Sequence, residues 1–323
     1  MNFLEELPRG MLYALAFLVP LACVLVLTPA VARLAHRYRV LDHPGGHKVH
    51  GDATPYLGGL AVGAGLMLVG VVVAGTNGEL LTIMGAALAL GMVGLRDDFR
   101  SVSPWWRLGF EAAAGLALWT VGVRAGVFGL AITDLPLTIL WIVAVVNAFN
   151  MIDNMDGVAS AVAGASLGFL RANFPPASIF LGDAGSMFLG FMIAALTLKL
   201  DLPVGDVAPR VISTVLLAAV PLFDLTLVML ARAMGRRPLM AGGTDHTTHR
   251  LRRGGSPDRT VLLQLIAVQA SCSLLAYTVY QQERAFVLVI GAAVAVTWLL
   301  LLWVFLRMSE PSRETTERVA VTS

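Results

Sequence analysis

Long runs without a charged residue dominate the pattern of this chain. Six are unambiguous: 10–32, 53–78, 80–95, 135–152, 260–282 and 285–306 contain no Asp, Glu, Lys or Arg. Three further apolar stretches are less clean, because 108–123 contain Glu111, 184–198 are short, and 211–231 contain Asp224. A hydrocarbon core of about 30 Å takes about 20 apolar residues per helical crossing. The pattern therefore predicts an all-α, polytopic integral membrane bundle of about nine full transmembrane helices. Another apolar stretch, 158–170, is too short to cross, since as a helix it would reach only about 20 Å. It is expected to form a short re-entrant or interfacial helix. The first run is not a signal peptide, being too long and preceded by an acidic segment. A single membrane domain is expected over 1–306. The polar tail, 307–323, is expected to be disordered and cytoplasmic.

Composition strengthens this reading. Hydrophobic residues make up 57% of the 323 and charged ones 14%, against about 45–50% and about 25% in soluble domains. Mean hydropathy is +0.77. A water-soluble globular enzyme is excluded. The net charge of +2 is too small to suggest a nucleic-acid partner. Cys23 and Cys272 both lie in apolar runs, so neither a disulfide framework nor a thiolate metal site is expected. Charge placement gives an orientation. With the N-terminus outside, the inner segments 33–56, 96–107, 153–183, 232–259 and the tail hold 18 of the 23 Lys and Arg. That bias places those segments in the cytoplasm, with 153 and 183 on the same side.

Acids and histidines are scarce, and most fall at the inner helix ends. Asn147, Asn150 and Asp153 occupy one sector of about 120° on a helix. A polar stripe in an apolar helix has to face protein or a water-filled cavity; helix–helix hydrogen bonding is its plain reading, a site its sharper one. Asp183 sits between Gly182 and Gly185 before a helix. It could cap that helix, or hold a hard cation near backbone N–H groups that attract anions. The adjacent Asp97 and Asp98 need a cation or a proton between them, unless they form a solvated loop paired with Arg96 or Arg100. His246 and His249 lie among seven Lys and Arg between Arg232 and Arg259. Such a loop could hold a pyrophosphate, or simply face lipid headgroups. Together the set suggests phosphate chemistry at a membrane face. No P-loop and no Ser-His-Asp or Cys-His pattern is present.

At these residues the chain resembles the polyprenyl-phosphate N-acetylhexosamine-1-phosphate transferases. The resemblance runs in order through His47-Lys48-Val49-His50 with Thr54–Gly59, Gly94–Asp98, the 147–157 stripe, 180–186, Pro221–Asp224 and His246–Leu251. It implies transfer of a sugar-1-phosphate from a UDP-N-acetylhexosamine to a polyprenyl (undecaprenyl) phosphate with release of UMP, a first membrane step of cell-wall or surface polysaccharide synthesis. It further implies Mg²⁺, with Mn²⁺ as the alternative ion, held by Asp183 and Asn150 on the pyrophosphate. The implied catalytic set is Asp97, Asp98, Asp153 and Asp183, with the Asp97–Asp98 pair near the lipid phosphate and Asp153 and Asp156 helping to hold the nucleotide. Lys48, His50, Asn147, Asn150, Asp156, His246 and His249 are the implied substrate-binding residues, the histidines at the sugar-phosphate end. A plasma-membrane location with a cytoplasmic active site follows, and a homodimer is an open expectation.

Three features depart from the family pattern. Asn154 stands where glycine is commoner. The histidine loop reads Asp-His-Thr-Thr-His-Arg-Leu rather than the triple-histidine form of the MurNAc-pentapeptide enzymes, which favours a UDP-N-acetylhexosamine donor. Most consequentially, two crossings separate the Asn/Asp stripe from the Gly-Asp motif in the family, and here 157–181 leave no room for them. The sequence reads as an internal deletion of a helical hairpin that keeps both motifs cytoplasmic. A destabilised enzyme with reduced or absent turnover is expected from it. The competing classes are an ion-coupled transporter using Glu111 and Asp224 as a relay, and a non-catalytic relative that binds lipid or nucleotide.

Overall fold

The computed structural model describes residues 8–42, 53–153, 167–199, 207–240 and 243–308. These residues form twelve helices and one two-stranded ribbon. In chain order the helices are α1 (Arg9–Tyr38), α2 (Gly58–Ala74), α3 (Gly78–Phe99), α4 (Pro104–Thr120), α5 (Ala131–Ile152), α6 (Leu167–Asn173), α7 (Gly182–Leu198), α8 (Val207–Leu217), α9 (Ala219–Met234), α10 (Thr247–Arg253), α11 (Asp258–Tyr280) and α12 (Arg284–Arg307). Strands β1 (Leu41–Asp42) and β2 (Thr54–Pro55) pair antiparallel between α1 and α2.

Five helices are long and apolar enough to cross a bilayer, at Phe17–Tyr38, Gly78–Phe99, Ala131–Ile152, Asp258–Tyr280 and Arg284–Arg307. A sixth candidate, α8 with α9, is bent by 77°. The remaining expected spans are shorter. α2, α4 and α7 have 17 residues each, about 25 Å at 1.5 Å per residue. Residues 53–57 do not extend α2, because Thr54 and Pro55 pair with β1. The bend at Ala218 has a local cause. Pro221 has no N–H for the carbonyl of Leu217 and its ring would clash there. Gln269 of α11 supplies the missing partners: its Nε2 donates to Leu216 O and Leu217 O at 3.2 and 3.1 Å, and its Oε1 accepts from Val220 N at 3.1 Å.

The core is built around α7. Its buried side chains include Met187, Phe188, Leu189, Phe191, Ala194 and Ala195, and α3, α5 and α2 pack round it. A helix enclosed by its neighbours can be apolar on all sides, which explains the charge-free 184–198 run. Gly94 of α3 lets that helix reach α7 by backbone, since a Cβ there would collide with the Asp183 carbonyl. The periphery is the reverse. The most apolar stretch of α12 has mean hydropathy 2.7, yet 11% of it is buried, as expected of a surface that meets lipid.

The expected short helix over 158–170 falls mostly outside the described residues, as does the tail beyond residue 308. The described remainder begins at α6, which packs on α1 with Phe169 fully buried.

Candidate active site

Asp97 and Asp98 end α3, and their two side chains have different tasks. Asp98 Oδ1 accepts from the N–H of Asp183 at 2.8 Å, and Oδ2 from the N–H of Ala184 at 3.1 Å. The first N–H groups of a helix lack internal partners, and Leu181 gives α7 no side-chain cap. A carboxylate from another helix fills that role, favoured by the positive end of the helix dipole. Gly182 makes the approach feasible: its φ is +73°, and a Cβ would lie 2.9 Å from Asp98 Oδ2. The reading of Asp183 as a mere cap is therefore corrected. Asp98 caps α7, and the Asp183 side chain turns to the site.

There it meets Asn150 and Arg107. Asn150 Nδ2 donates to Asp183 Oδ1 at 2.6 Å and to Ser186 Oγ at 2.9 Å. Arg107 of α4 donates to Asn150 Oδ1 at 2.5 Å and to Asp97 Oδ2 at 2.8 Å, and lies 3.6 Å from Asp183 Oδ2. The Asp97 and Asp183 carboxyls thus approach the same guanidinium. Two carboxylates so close call for a cation between them, and Arg107 provides it. Asp97 also accepts from Val102 N at 2.5 Å, fixing the α3–α4 turn.

One turn deeper, Asn147 Nδ2 donates to Glu111 Oε2 and to Val143 O. Glu111 is fully buried, and its Oε1 has no hydrogen-bond partner among the described residues. The asparagine stripe thus faces protein groups on α4 and α7. Asp153 ends α5 one turn beyond Asn150.

The histidine loop is held from α9. The buried Asp224 carboxylate contacts His246 Nδ1 at 2.8 Å and accepts from Thr247 N at 2.6 Å. His249 stands with its ring 6.1 Å from that of His246. Burial, together with His246, Arg252 and Arg253, pushes the His249 imidazole down to about 4. Asp245 takes Arg232 at 3.2 Å and Arg237 at 2.6 Å. Arg250 donates to Phe305 O and Met308 O at 2.6 and 3.0 Å, closing the end of α12. The histidines sit on a different element from the Asp97–Asp183 cluster; α9, which holds them, packs on α5, which carries the asparagines.

The first inner loop joins the site through main chain. Pro55 O accepts from Phe180 N at 2.8 Å, and Gly58 N and Gly59 N donate to Phe180 O and Leu181 O at 2.9 and 2.8 Å. Tyr56 packs on Phe180. Its phenol is raised well above the usual range, first by burial and then by Asp42. Lys48, His50 and Asp156 lie outside the described residues.

The structure therefore brings together Asp97, Asp98, Asn147, Asn150 and Asp183. It also adds three residues absent from the predicted site. Arg107 was counted only toward orientation, Glu111 and Asp224 only as a relay. The Pro221–Asp224 match was the available signal for Asp224. Among the described residues no three His, Cys, Asp or Glu side chains form a metal-binding group. A Mg²⁺ that also binds substrate phosphates needs only one or two carboxylates. Asp183, Asn150 Oδ1 and Asp97 are hard oxygen donors converging on a cation, and that donor set fits the ion.

The sequence profile of glycosyl transferase family 4 matches residues 80–166 and 158–201. Over 291 aligned positions the chain is 30% identical to a probable undecaprenyl-phosphate N-acetylglucosaminyl 1-phosphate transferase of Bacillus subtilis, covering 78% of this chain and 81% of that protein. The chain belongs to glycosyl transferase family 4. Other relatives are similar over most of their length. A decaprenyl-phosphate N-acetylglucosaminephosphotransferase of Mycobacterium tuberculosis is 30% identical, over 73% of this chain and 74% of its own. An undecaprenyl-phosphate alpha-N-acetylglucosaminyl 1-phosphate transferase of Thermotoga maritima is 26% identical, over 73% and 81%. The Bacillus alignment also bears on the shortened segment. Its 291 positions take in 78% of 323 residues, about 252, so this chain lacks a residue at about 39 of them. That is about the length of a helical hairpin, and the family profile matches in two segments that overlap at 158–166, between the two motifs.

Proposed function

We propose that this chain transfers an N-acetylhexosamine-1-phosphate from a UDP-sugar to a polyprenyl phosphate. An oxygen of the lipid phosphate bonds to the sugar-bearing phosphorus of the donor, the pyrophosphate P–O bond breaks, and UMP leaves with the electron pair. The observation that carries this reading is the oxygen set of Asp97, Asn150 and Asp183 around one cationic position, at the N-terminus of a helix tied down by Asp98. Mg²⁺ or Mn²⁺ bound there would offset the charge that builds on the pyrophosphate oxygens. Asp183 and Asn150 are its ligands in this reading. Asp98 and the Gly182 turn fix where Asp183 stands, and positioning of that kind supplies much of the rate in phosphoryl transfer. Asp97, next to Arg107, faces the lipid-phosphate end. His246, oriented by Asp224, and the neutral His249 contact the sugar-phosphate end, while Asp153 and Asp156, with Lys48 and His50 of the first loop, serve the donor.

In the membrane we read nine crossings, with α2, α4 and α7 as short spans and α8–α9 as one broken span. The N-terminus is outside, and the site faces the cytoplasm of the plasma membrane. The charge bias supports this orientation, as does the grouping of the polar cluster at helix ends. Glu111 and Asp224 are each tied to a site residue, Asn147 and His246, which disfavours a transport relay. Assembly of the cluster without the missing hairpin supports turnover. The test is UMP release from a panel of UDP-sugars with undecaprenyl phosphate and Mg²⁺. UMP formed only when lipid is present supports the transferase; binding of either substrate without UMP from any donor overturns it.

A further inference from the structure

We infer that Arg107 is a displaceable counterion: its guanidinium and a divalent cation compete for the same oxygens, and it turns to Glu111 when the ion binds. The inference rests on the metal reading of the site given above. Two independent observations carry it. The first is what Arg107 occupies. Its guanidinium takes Asn150 Oδ1 at 2.5 Å and Asp97 Oδ2 at 2.8 Å, and lies 3.6 Å from Asp183 Oδ2. Those are oxygens that a hard cation would need, and a guanidinium and a divalent ion cannot share them, because like charges a few ångströms apart repel strongly. The second is Glu111. It lies four residues further along α4, on the same helix face as Arg107, and is fully buried with Oε1 unpartnered. A buried carboxylate oxygen without a donor is costly, and a rotation of the Arg107 side chain within one helical turn would satisfy it. Oε2 meanwhile keeps Asn147 in place. Glu111 is thus a positioning residue with two roles: it anchors the asparagine stripe, and it receives the arginine that the ion displaces.

The experiment is Mn²⁺ binding to the purified full-length chain, without substrates, read by the electron-paramagnetic signal of free Mn²⁺. Arg107→Gln should bind Mn²⁺ about tenfold more tightly than the natural chain, because the competing cation is gone. Glu111→Gln should bind it about tenfold more weakly, because the arginine loses its receiving charge. The double variant should match Arg107→Gln, since Glu111 acts on the ion only through Arg107. Asp183→Asn is the control and should lose the site. If Mn²⁺ binds through Asp183 but Arg107→Gln leaves its affinity unchanged or weaker, the counterion role is wrong and the metal reading stands. If no Asp183-dependent Mn²⁺ binding occurs in any form, the metal reading fails and this inference with it. Should Arg107→Gln not purify folded, the isosteric Glu111→Gln decides alone, and unchanged affinity overturns the inference.

Discussion

Replacing Asp98 by Asn separates a positioning role from lipid contact. In the structure both carboxylate oxygens accept N–H groups of α7, at 2.8 and 3.1 Å. An asparagine offers a single oxygen, so one N–H loses its partner and faces an amide that is itself a donor. Losing a hydrogen bond to a charged group costs about 1.5–3 kcal/mol. Removing the charge from a helix N-terminus adds about 0.3–1 kcal/mol. The expected destabilisation is about 2–4 kcal/mol, which lowers the melting temperature by about 3–6 °C in a chain of this size. Because one of the two donors is the N–H of Asp183, the same loss moves that carboxylate. A displacement of about 1 Å in a reacting constellation can cost about 10²-fold in rate. The assay pairs thermal unfolding in detergent, followed by tryptophan fluorescence, with UMP release at varied lipid and varied donor. Asp98→Asn should lower both the melting temperature and kcat while leaving the two KM values close to natural. An unchanged melting temperature with a loss confined to lipid KM would refute the argument and put Asp98 on the lipid phosphate.

Asp183→Asn should cut turnover by about 10²-fold or more at saturating Mg²⁺ without a comparable fall in melting temperature, because the N–H that Asp98 holds is retained; near-normal turnover refutes the ligand role. His249 titrates at about 4, below the ordinary 6.5 for histidine, so the unfolded chain takes up its proton first as pH falls. Its contribution to stability is complete above pH 6.5 and is lost progressively toward pH 4. The melting temperature of the natural chain should drop more steeply over that window than that of His249→Gln, and parallel slopes would contradict the assignment. Inserting a family hairpin between Ala165 and Gly168 should raise thermal stability and turnover; a natural chain that already equals the restored one on both shows the deletion to be harmless. A cysteine at Gly255, in a background lacking Cys23 and Cys272, should be blocked by impermeant reagents only in opened cells, and labelling of intact cells would reverse the orientation.

What the sequence revealed follows from what lipid forbids. Charge-free runs such as 135–152 and 285–306 mark α5 and α12 because an unpaired charge is expensive in hydrocarbon. Helix ends were less legible where a partner element sets them. The start of α2 is decided by the pairing of Thr54 and Pro55 with β1, and the break at Ala218 by Pro221 together with Gln269 from α11. The same division holds in the site. Acids and asparagines stood out because they are rare in an apolar chain. Arg107 did not, since a basic residue in an inner segment already has a topological explanation. Nor could the cap on α7 be read locally, because its donors lie 85 and 86 residues from the carboxylate.

That separation sets a schedule for how the chain is made. At about 5–20 residues per second of synthesis, the 85 residues between Asp98 and the N–H of Asp183 take on the order of 4–17 seconds. Throughout that interval the Asp98 carboxylate at the end of α3 lacks its α7 partners. A position at the helix end spares it the cost of waiting uncapped in the middle of a span. An additional helical hairpin of about 39 residues in this interval would lengthen the wait by about half. A chain without that hairpin closes its site sooner after the ribosome begins it.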